Sequence, residues 1–243
     1  MYTTLDYSPN FDIKKRKVKD IKFVVFHYTG MNNEKKAISK LTHSESKVSS
    51  HYFIKNNGEV ITLVPDLYVA WHAGVSNWKK YKSLNRYSIG IEISNPGHDY
   101  KYKKFSKKQI NKIIKLSRFL IKKYKIKPEN FLGHSDIAPG RKIDPGEKFP
   151  WKHLSKKKIG YWHNINNQTL VKQRRVNTSN LEKIKFLKNL VKIGYSKNFK
   201  INNNTLLKIL SSTFQRRFRP ELVDGFIDKE CLSISENLLK KLK

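Results

Sequence analysis

Lys22-Phe23-Val24-Val25-Phe26-His27-Tyr28 is a run of β-branched and aromatic residues that stops at Thr29-Gly30. That composition and length predict a short buried strand. A buried strand needs partners, and the chain supplies several. His51 to Lys55 and Glu59 to Val64 flank Asn56-Asn57-Gly58, where Asn and Gly tolerate positive φ, so a hairpin is expected there. Ser88-Ile89-Gly90-Ile91-Glu92-Ile93-Ser94 alternates small or polar residues with isoleucines and predicts another strand. Phe131-Leu132-Gly133-His134 predicts a further short one.

Helical signals lie between them. Glu34 to His43 predicts a short helix. Ser106 is placed to cap a long one whose apolar set is Ile110, Ile113, Ile114, Leu120, Ile121 and Tyr124, with Pro128 beyond its end. Strands and helices mix without strict alternation. The expected class is therefore α/β (α+β), a central mixed β-sheet flanked by helices.

Beyond Trp151 the pattern changes. Residues 151 to about 180 are polar and irregular, as a linker would be. Three helical stretches follow: Leu181, Ile184, Leu187, Leu190 and Val191, stopped by Gly194; Leu206, Ile209, Leu210 and Phe214, capped by Asn203 or Asn204; and Leu232, Ile234, Leu238, Leu239 and Leu242. They predict a small C-terminal three-helix bundle, near the lower size for independent folding. The expected organisation is an α/β domain over 1–154, a linker over 155–179 and a helical domain over 180–243.

Composition removes several function classes. A hydrophobic fraction of 38% and an aromatic fraction of 12% can build a core, so wholesale disorder is excluded. No apolar run is long enough to span a membrane. Met1-Tyr2-Thr3-Thr4-Leu5-Asp6 shows neither the basic nor the apolar region of a signal peptide, so the sequence reads as bacterial and cytoplasmic. A leader outside this sequence, or a non-standard route, would place it in the periplasm or medium instead. The single cysteine, Cys231, excludes an internal disulfide framework and a cysteine-rich zinc site. The formal net charge of +32 favours polyanions such as nucleic acid, anionic membrane or a cell-wall polymer. Yet the lysines are spread evenly and no nucleic-acid-binding signature accompanies them.

Gly133-His134-Ser135-Asp136-Ile137-Ala138-Pro139-Gly140-Arg141-Lys142-Ile143-Asp144-Pro145-Gly146 is too rich in Pro and Gly for a helix or a regular strand. It carries an imidazole, two carboxylates, an arginine and a lysine, and loops of this kind on a rigid scaffold often hold functional groups. A solvated surface turn is the alternative. His27 and His134 at strand ends, with Asp144 after a turn, are residue types that fit a zinc site with one position left for water. His27 alone reads more readily as a hydrogen-bonded core histidine, and the second strand-end histidine with a nearby carboxylate is what favours a ligand. Glu92 interrupts an apolar strand, where an unpaired carboxylate is costly. It is either ion-paired to a lysine or a general base whose pKa burial has raised. Lys142 is either a solvated lysine or a donor to a developing oxyanion. In Ala70-Trp71-His72-Ala73-Gly74, Trp71 is core or a platform for sugar. His51 reads as structural.

These segments, with Phe26-His27-Tyr28-Thr29 and Val48-Ser49-Ser50-His51-Tyr52, resemble the zinc N-acetylmuramoyl-L-alanine amidases in order and spacing over roughly residues 22 to 151. The resemblance implies Zn²⁺ on His27, His134 and Asp144, with Glu92 as catalytic base and Lys142 stabilising the transition state. It also implies substrate contacts at Tyr28 and Thr29, and we extend these to Trp71 and His72. Members that only recognise peptidoglycan lose metal ligands, whereas this chain keeps all three, which implies an enzyme. Phage members have a catalytic tyrosine where this chain has Ser50, so a mechanism based on Glu92 is expected. Val191-Lys192-Ile193-Gly194-Tyr195, Phe214 to Pro220 and Val223 to Asp228 resemble a peptidoglycan-binding helical domain. The implied partners are peptidoglycan fragments, both muropeptides and anhydromuropeptides, in cell-wall turnover or recycling, with no specific nucleic acid. Charge-driven nucleic-acid binding, the rival reading, accounts for none of these motifs.

Overall fold

A computed structural model describes residues 4–196 and 204–242. Six strands form one sheet: β1 (Thr4–Leu5), β2 (Phe23–Tyr28), β3 (Tyr52–Ile54), β4 (Val60–Thr62), β5 (Ser88–Ile93) and β6 (Phe131–Gly133). Their order is β1-β4-β3-β5-β2-β6, and every neighbouring pair is parallel except the hairpin β3-β4. The expected mixed sheet is what the chain forms. Gly58 closes the hairpin turn at φ 85°, a conformation that Gly adopts without strain.

Two neighbouring interior strands explain the sheet's chemistry. β2 and β5 pair in register from Phe23↔Ser88 to Tyr28↔Ile93. Residues paired in this way point to the same face, and successive residues to opposite faces. Ile89, Ile91 and Ile93 therefore point one way into the core, with Val24 and Phe26. Ser88, Gly90 and Glu92 point the other way, beside Phe23, Val25 and His27.

Helix α1 (Glu34–Thr42) buries Ala37 and Leu41 in a small cluster with Phe53, Ile61 and Leu63. Helix α2 (Lys107–Tyr124) begins with the capping box of Ser106 and Gln109, an arrangement worth about 1 kcal/mol. It buries Ile113, Ile114, Leu116 and Leu120. No described helix is long and apolar enough to cross a membrane.

Six shorter or later helices complete the chain: α3 (His134–Ile137), α4 (Trp151–Ser155), α5 (Asn167–Gln173), α6 (Asn180–Ile193), α7 (Asn204–Phe218) and α8 (Lys229–Lys241). The stretch 151–180, expected to be irregular, thus contains α4 and α5. Asn166 caps α5 and Leu170 buries its one apolar anchor, a signal too short for a helical period to show. Asn204 begins α7, while Asn203, the alternative cap, lies outside the described residues. One apolar cluster runs from the sheet (Phe23 to Phe26) through Trp151 to Phe186, Phe214 and Ile234 of the helical bundle.

Ion pairs join these regions as well. Arg217 of α7 pairs with Asp136 of α3, donates to the Phe131 carbonyl at 3.0 Å, and lies 4.2 Å over the Trp151 ring. Tyr195 donates to the other Asp136 oxygen at 2.9 Å. Arg219 is wholly buried among Asp224, Asp228 and Glu230. Gln215 binds Asp224, the Gly225 amide and the Phe226 carbonyl, so the Phe-Gln and Asp-Gly motifs are halves of one turn-locking network. Cys231 is buried, which pushes its thiol up to about 12 and leaves it unreactive.

Candidate active site

The carboxyl ends of parallel strands, where strand order reverses, are where α/β sheets open a crevice. Here β2 ends on His27 and Tyr28, β5 carries Glu92 near its end, and β6 runs directly into His134. The loop after β6 returns because the Ser135 amide donates to the Asp144 carbonyl at 2.8 Å, which sets Asp144 beside His134. Gly133 admits this closure, since a Cβ there would meet Pro145 at 2.8 Å. Asp136 accepts from the Gly133 amide at 2.7 Å and anchors the loop from below, the structural role that remains for it.

Three donor atoms converge at the crevice. His27 Nδ1 lies 2.9 Å from His134 Nδ1, and Asp144 Oδ2 is 3.1 Å from each. The three side chains are buried and form the one group among the described residues able to hold a metal ion. Burial, and then the charge of His134, push His27 down to about 4, which keeps its imidazole neutral. Burial alone would raise the Asp144 carboxyl, but His134 and His27 hold it well below the usual carboxylate range. Two imidazoles and one carboxylate are a donor set that fits Zn²⁺.

Glu92 stands beside this set. Burial, reinforced by the charge of Asp144, raises its pKa well above the usual carboxylate value, against the opposing pull of Lys142 and Lys40. Its Oε2 has no hydrogen-bond partner. The alternative of a lysine salt bridge is therefore not what the described residues make. A carboxylate kept partnerless in a cleft is suited to taking a proton.

A cleft of about 550 Å³ surrounds these groups. Tyr28, Thr29, Trp71, His72, Lys142, Lys40 and Arg141 all line it. Tyr28 shares a hydrogen bond of 2.9 Å with His98, and burial raises its hydroxyl to about 12. The Thr29 hydroxyl donates to the Asn95 carbonyl at 2.9 Å. Trp71 is half-buried, with its indole N–H on Asp12 at 2.7 Å, so one face is open to the cleft and the core reading does not hold. His72 is buried against His27. His51 accepts from the Gly90 amide at 3.0 Å and sits behind the site, as its structural reading expected. Sequence reasoning gave no role to Arg141, which donates to the Ala73 and Val75 carbonyls at 2.6 and 2.8 Å. Nor did it find Asn85, whose Oδ1 accepts from the His72 and Ala73 amides at 3.1 and 2.7 Å. Neither residue belongs to a periodic pattern that would single it out.

A buried three-donor set beside a glutamate whose Oε2 is unpartnered, in a crevice at the carboxyl edge of the sheet, has the make-up of a hydrolase centre. The family model described as N-acetylmuramoyl-L-alanine amidase matches residues 17–147, a span that contains every group of this site. The chain belongs to the N-acetylmuramoyl-L-alanine amidase family and is an enzyme. It is 35% identical over 233 residues to N-acetylmuramoyl-L-alanine amidase AmiD of Escherichia coli, covering 91% of this chain and 83% of that one. The solved complex of E. coli AmiD with the substrate anhydro-N-acetylmuramic acid-L-Ala-D-γ-Glu-L-Lys superposes with a TM-score of 0.80 at 34% identity, over 95% of this chain and 93% of that one. AMPDH3 of Pseudomonas aeruginosa, in complex with anhydromuramic pentapeptide, gives 0.81 at 31% identity over 98% of both chains.

Proposed function

We propose that this chain is a zinc hydrolase that cleaves the amide between N-acetylmuramic acid, the 1,6-anhydro form included, and the L-alanine of the peptidoglycan stem peptide. The observation that carries this reading is the meeting of His27, His134 and Asp144 next to the partnerless Glu92. Relatives whose complexes hold anhydromuramyl peptides share the fold over nearly the whole chain.

His27, His134 and Asp144 would hold Zn²⁺, which would supply Lewis acidity to the scissile carbonyl and to a water molecule. Glu92 takes a proton from the attacking water, a transfer that its raised pKa favours. The same carboxyl then gives that proton to the departing L-alanine amine. Lys142 donates to the oxygen that becomes anionic as the carbonyl turns tetrahedral, a contact whose removal costs about 10²–10³ in kcat. Tyr28, Thr29 and Trp71 bound the space for sugar and peptide.

Residues 1–154 hold every side chain named here, with 155–179 as the connection and 180–243 as a helical domain that engages peptidoglycan. The cationic surface favours the acidic stem peptide and anionic wall polymers as partners, in wall turnover or recycling.

The test is incubation of the zinc-loaded protein with defined anhydro and ordinary muropeptides, followed by mass spectrometry. Free stem peptide beginning with L-alanine is the expected product. Intact muropeptide from both substrates would overturn the proposal.

A further inference from the structure

The far ring nitrogens of the two histidines have partners of their own, and these come from consecutive residues. His134 Nε2 is 3.2 Å from the Ala73 carbonyl. His27 Nε2 is 3.0 Å from His72 Nδ1. A carbonyl can only accept, so His134 Nε2 carries the hydrogen and its Nδ1 presents a lone pair to the site. Arg141, 3.4 Å from the same nitrogen, already donates to the carbonyls of Ala73 and Val75.

For His27 the direction is set two steps further back. The Ser88 hydroxyl donates to the Leu84 carbonyl at 2.5 Å, which uses its only hydrogen. Its oxygen can then only accept, and His72 Nε2 lies 3.3 Å away. His72 therefore carries its hydrogen on Nε2 and offers the Nδ1 lone pair to His27. His27 must donate through Nε2, which leaves its Nδ1 free for the site. The chain of donors starts at a backbone carbonyl that cannot be reversed.

The scaffold is shaped to admit this arrangement. A Cβ at Gly90 would come within 2.5 Å of the His72 ring, so β5 gives up a side chain there to let the imidazole lie on the strand. Asn85 Oδ1 grips the amides of both His72 and Ala73, and so holds both partners with one side chain. Within β5, Ser88, Gly90 and Glu92 share a face and serve in turn as anchor, floor and base.

We propose that His72, anchored by Ser88, is a positioning residue that locks His27 in the tautomer presenting Nδ1 to the metal, as the Ala73 carbonyl does for His134. This assignment replaces the substrate contact expected of His72, and it rests on the zinc reading above. Partners of this kind raise metal affinity because the ligand arrives already oriented and in the right protonation form.

The test is zinc affinity of the full chain, measured by competition with a chromophoric chelator, for wild type, His72→Asn, His72→Leu and Ser88→Ala. Asn keeps an acceptor near the Nδ1 position, whereas Leu keeps only bulk. His72→Leu is expected to weaken zinc by roughly 10–100-fold, and His72→Asn by no more than about threefold. Ser88→Ala is expected to weaken it by more than about threefold while leaving the ring in place. Equal affinity of His72→Leu and wild type overturns the proposal, as does equal weakening by Asn and Leu, which would mean that ring packing alone matters. If His72→Leu does not fold, Ser88→Ala decides in the same way. A wild-type chain that binds no zinc would instead overturn the zinc reading itself.

Discussion

His27 and Glu92 are register partners on adjacent parallel strands, side by side on one face of the sheet. The proposed base and one proposed metal ligand are thus held at a separation set by backbone hydrogen bonds rather than by flexible loops. Such placement keeps reacting groups within the narrow tolerances that catalysis needs.

Glu92→Gln removes the proposed base and keeps the shape. Hydrolysis of muropeptide is expected to fall by roughly 10²–10⁴-fold with zinc content unchanged, measured by single-turnover kinetics and metal analysis. The same variant is expected to be more stable. The folded pKa of Glu92 is raised, so the native state holds a proton that the unfolded chain has released above about 4.5. Its contribution to stability is full below that value and is lost as pH rises through the folded pKa. Urea unfolding of metal-free protein should therefore show Gln and Glu forms alike near pH 4.5, with Gln ahead by roughly 0.5–2 kcal/mol near neutrality. A constant difference at all pH values would contradict the assignment.

The buried histidines give the opposite slope. Burial depresses His27 to about 4 and, with the charge of Arg16, His51 to about 3, while His72 is also lowered by burial and by its histidine neighbours. An unfolded chain binds these protons near 6.5, so the stabilising contribution is complete above that pH and is lost as pH falls towards the folded values. Thermal unfolding of the metal-free protein from pH 7 down to 4.5 should show a steady fall in midpoint. His51→Gln should flatten that fall.

Metal removal has a thermodynamic signature separate from activity. A ligand that binds only the folded chain stabilises it by about 2.7 kcal/mol at a hundredfold excess over Kd. Zinc titration into chelator-treated protein is expected to raise the melting midpoint, and Asp144→Ala to abolish the rise. An unchanged midpoint in the wild type would argue that His27, His134 and Asp144 are not a metal site.

Arg217 links the helical bundle to the loop that carries His134. It pairs with the buried Asp136 and touches the Phe131 carbonyl, so Arg217→Met strands a carboxylate in the core. Breaking a buried pair from one side costs about 3–5 kcal/mol. Chemical denaturation should show that loss. Arg217→Met together with Asp136→Asn should recover part of it, because the charge left behind is gone.

Much of this was readable in the sequence for a local physical reason. The apolar runs at Phe23 and Ile89, the Asn-Asn-Gly turn and the Ser106 cap each declare themselves within a few residues. His27, Glu92, His134 and Asp144 stood out because polar groups in apolar strands, or in a Pro- and Gly-rich loop, are costly or exposed unless put to use. What the sequence could not rank is which polar groups touch one another. Lys142 and Arg141 are neighbours in the chain and both line the cleft, yet Arg141 is spent on two carbonyls while Lys142 acts on the Glu92 carboxyl. The sequence places His72 only within Ala70 to Gly74, an aromatic and an imidazole beside small residues, and from there it was expected to touch substrate. Its hydrogen bond to His27 spans 45 residues, and its anchor is Ser88, sixteen residues away. Periodicity and turn chemistry act along the chain, so they determined the strands, helices and polar candidates. Hydrogen-bond direction depends on which acceptor lies within about 3 Å in space. Only the folded sheet, by setting Gly90 beneath one imidazole and His27 beside Glu92, decided that.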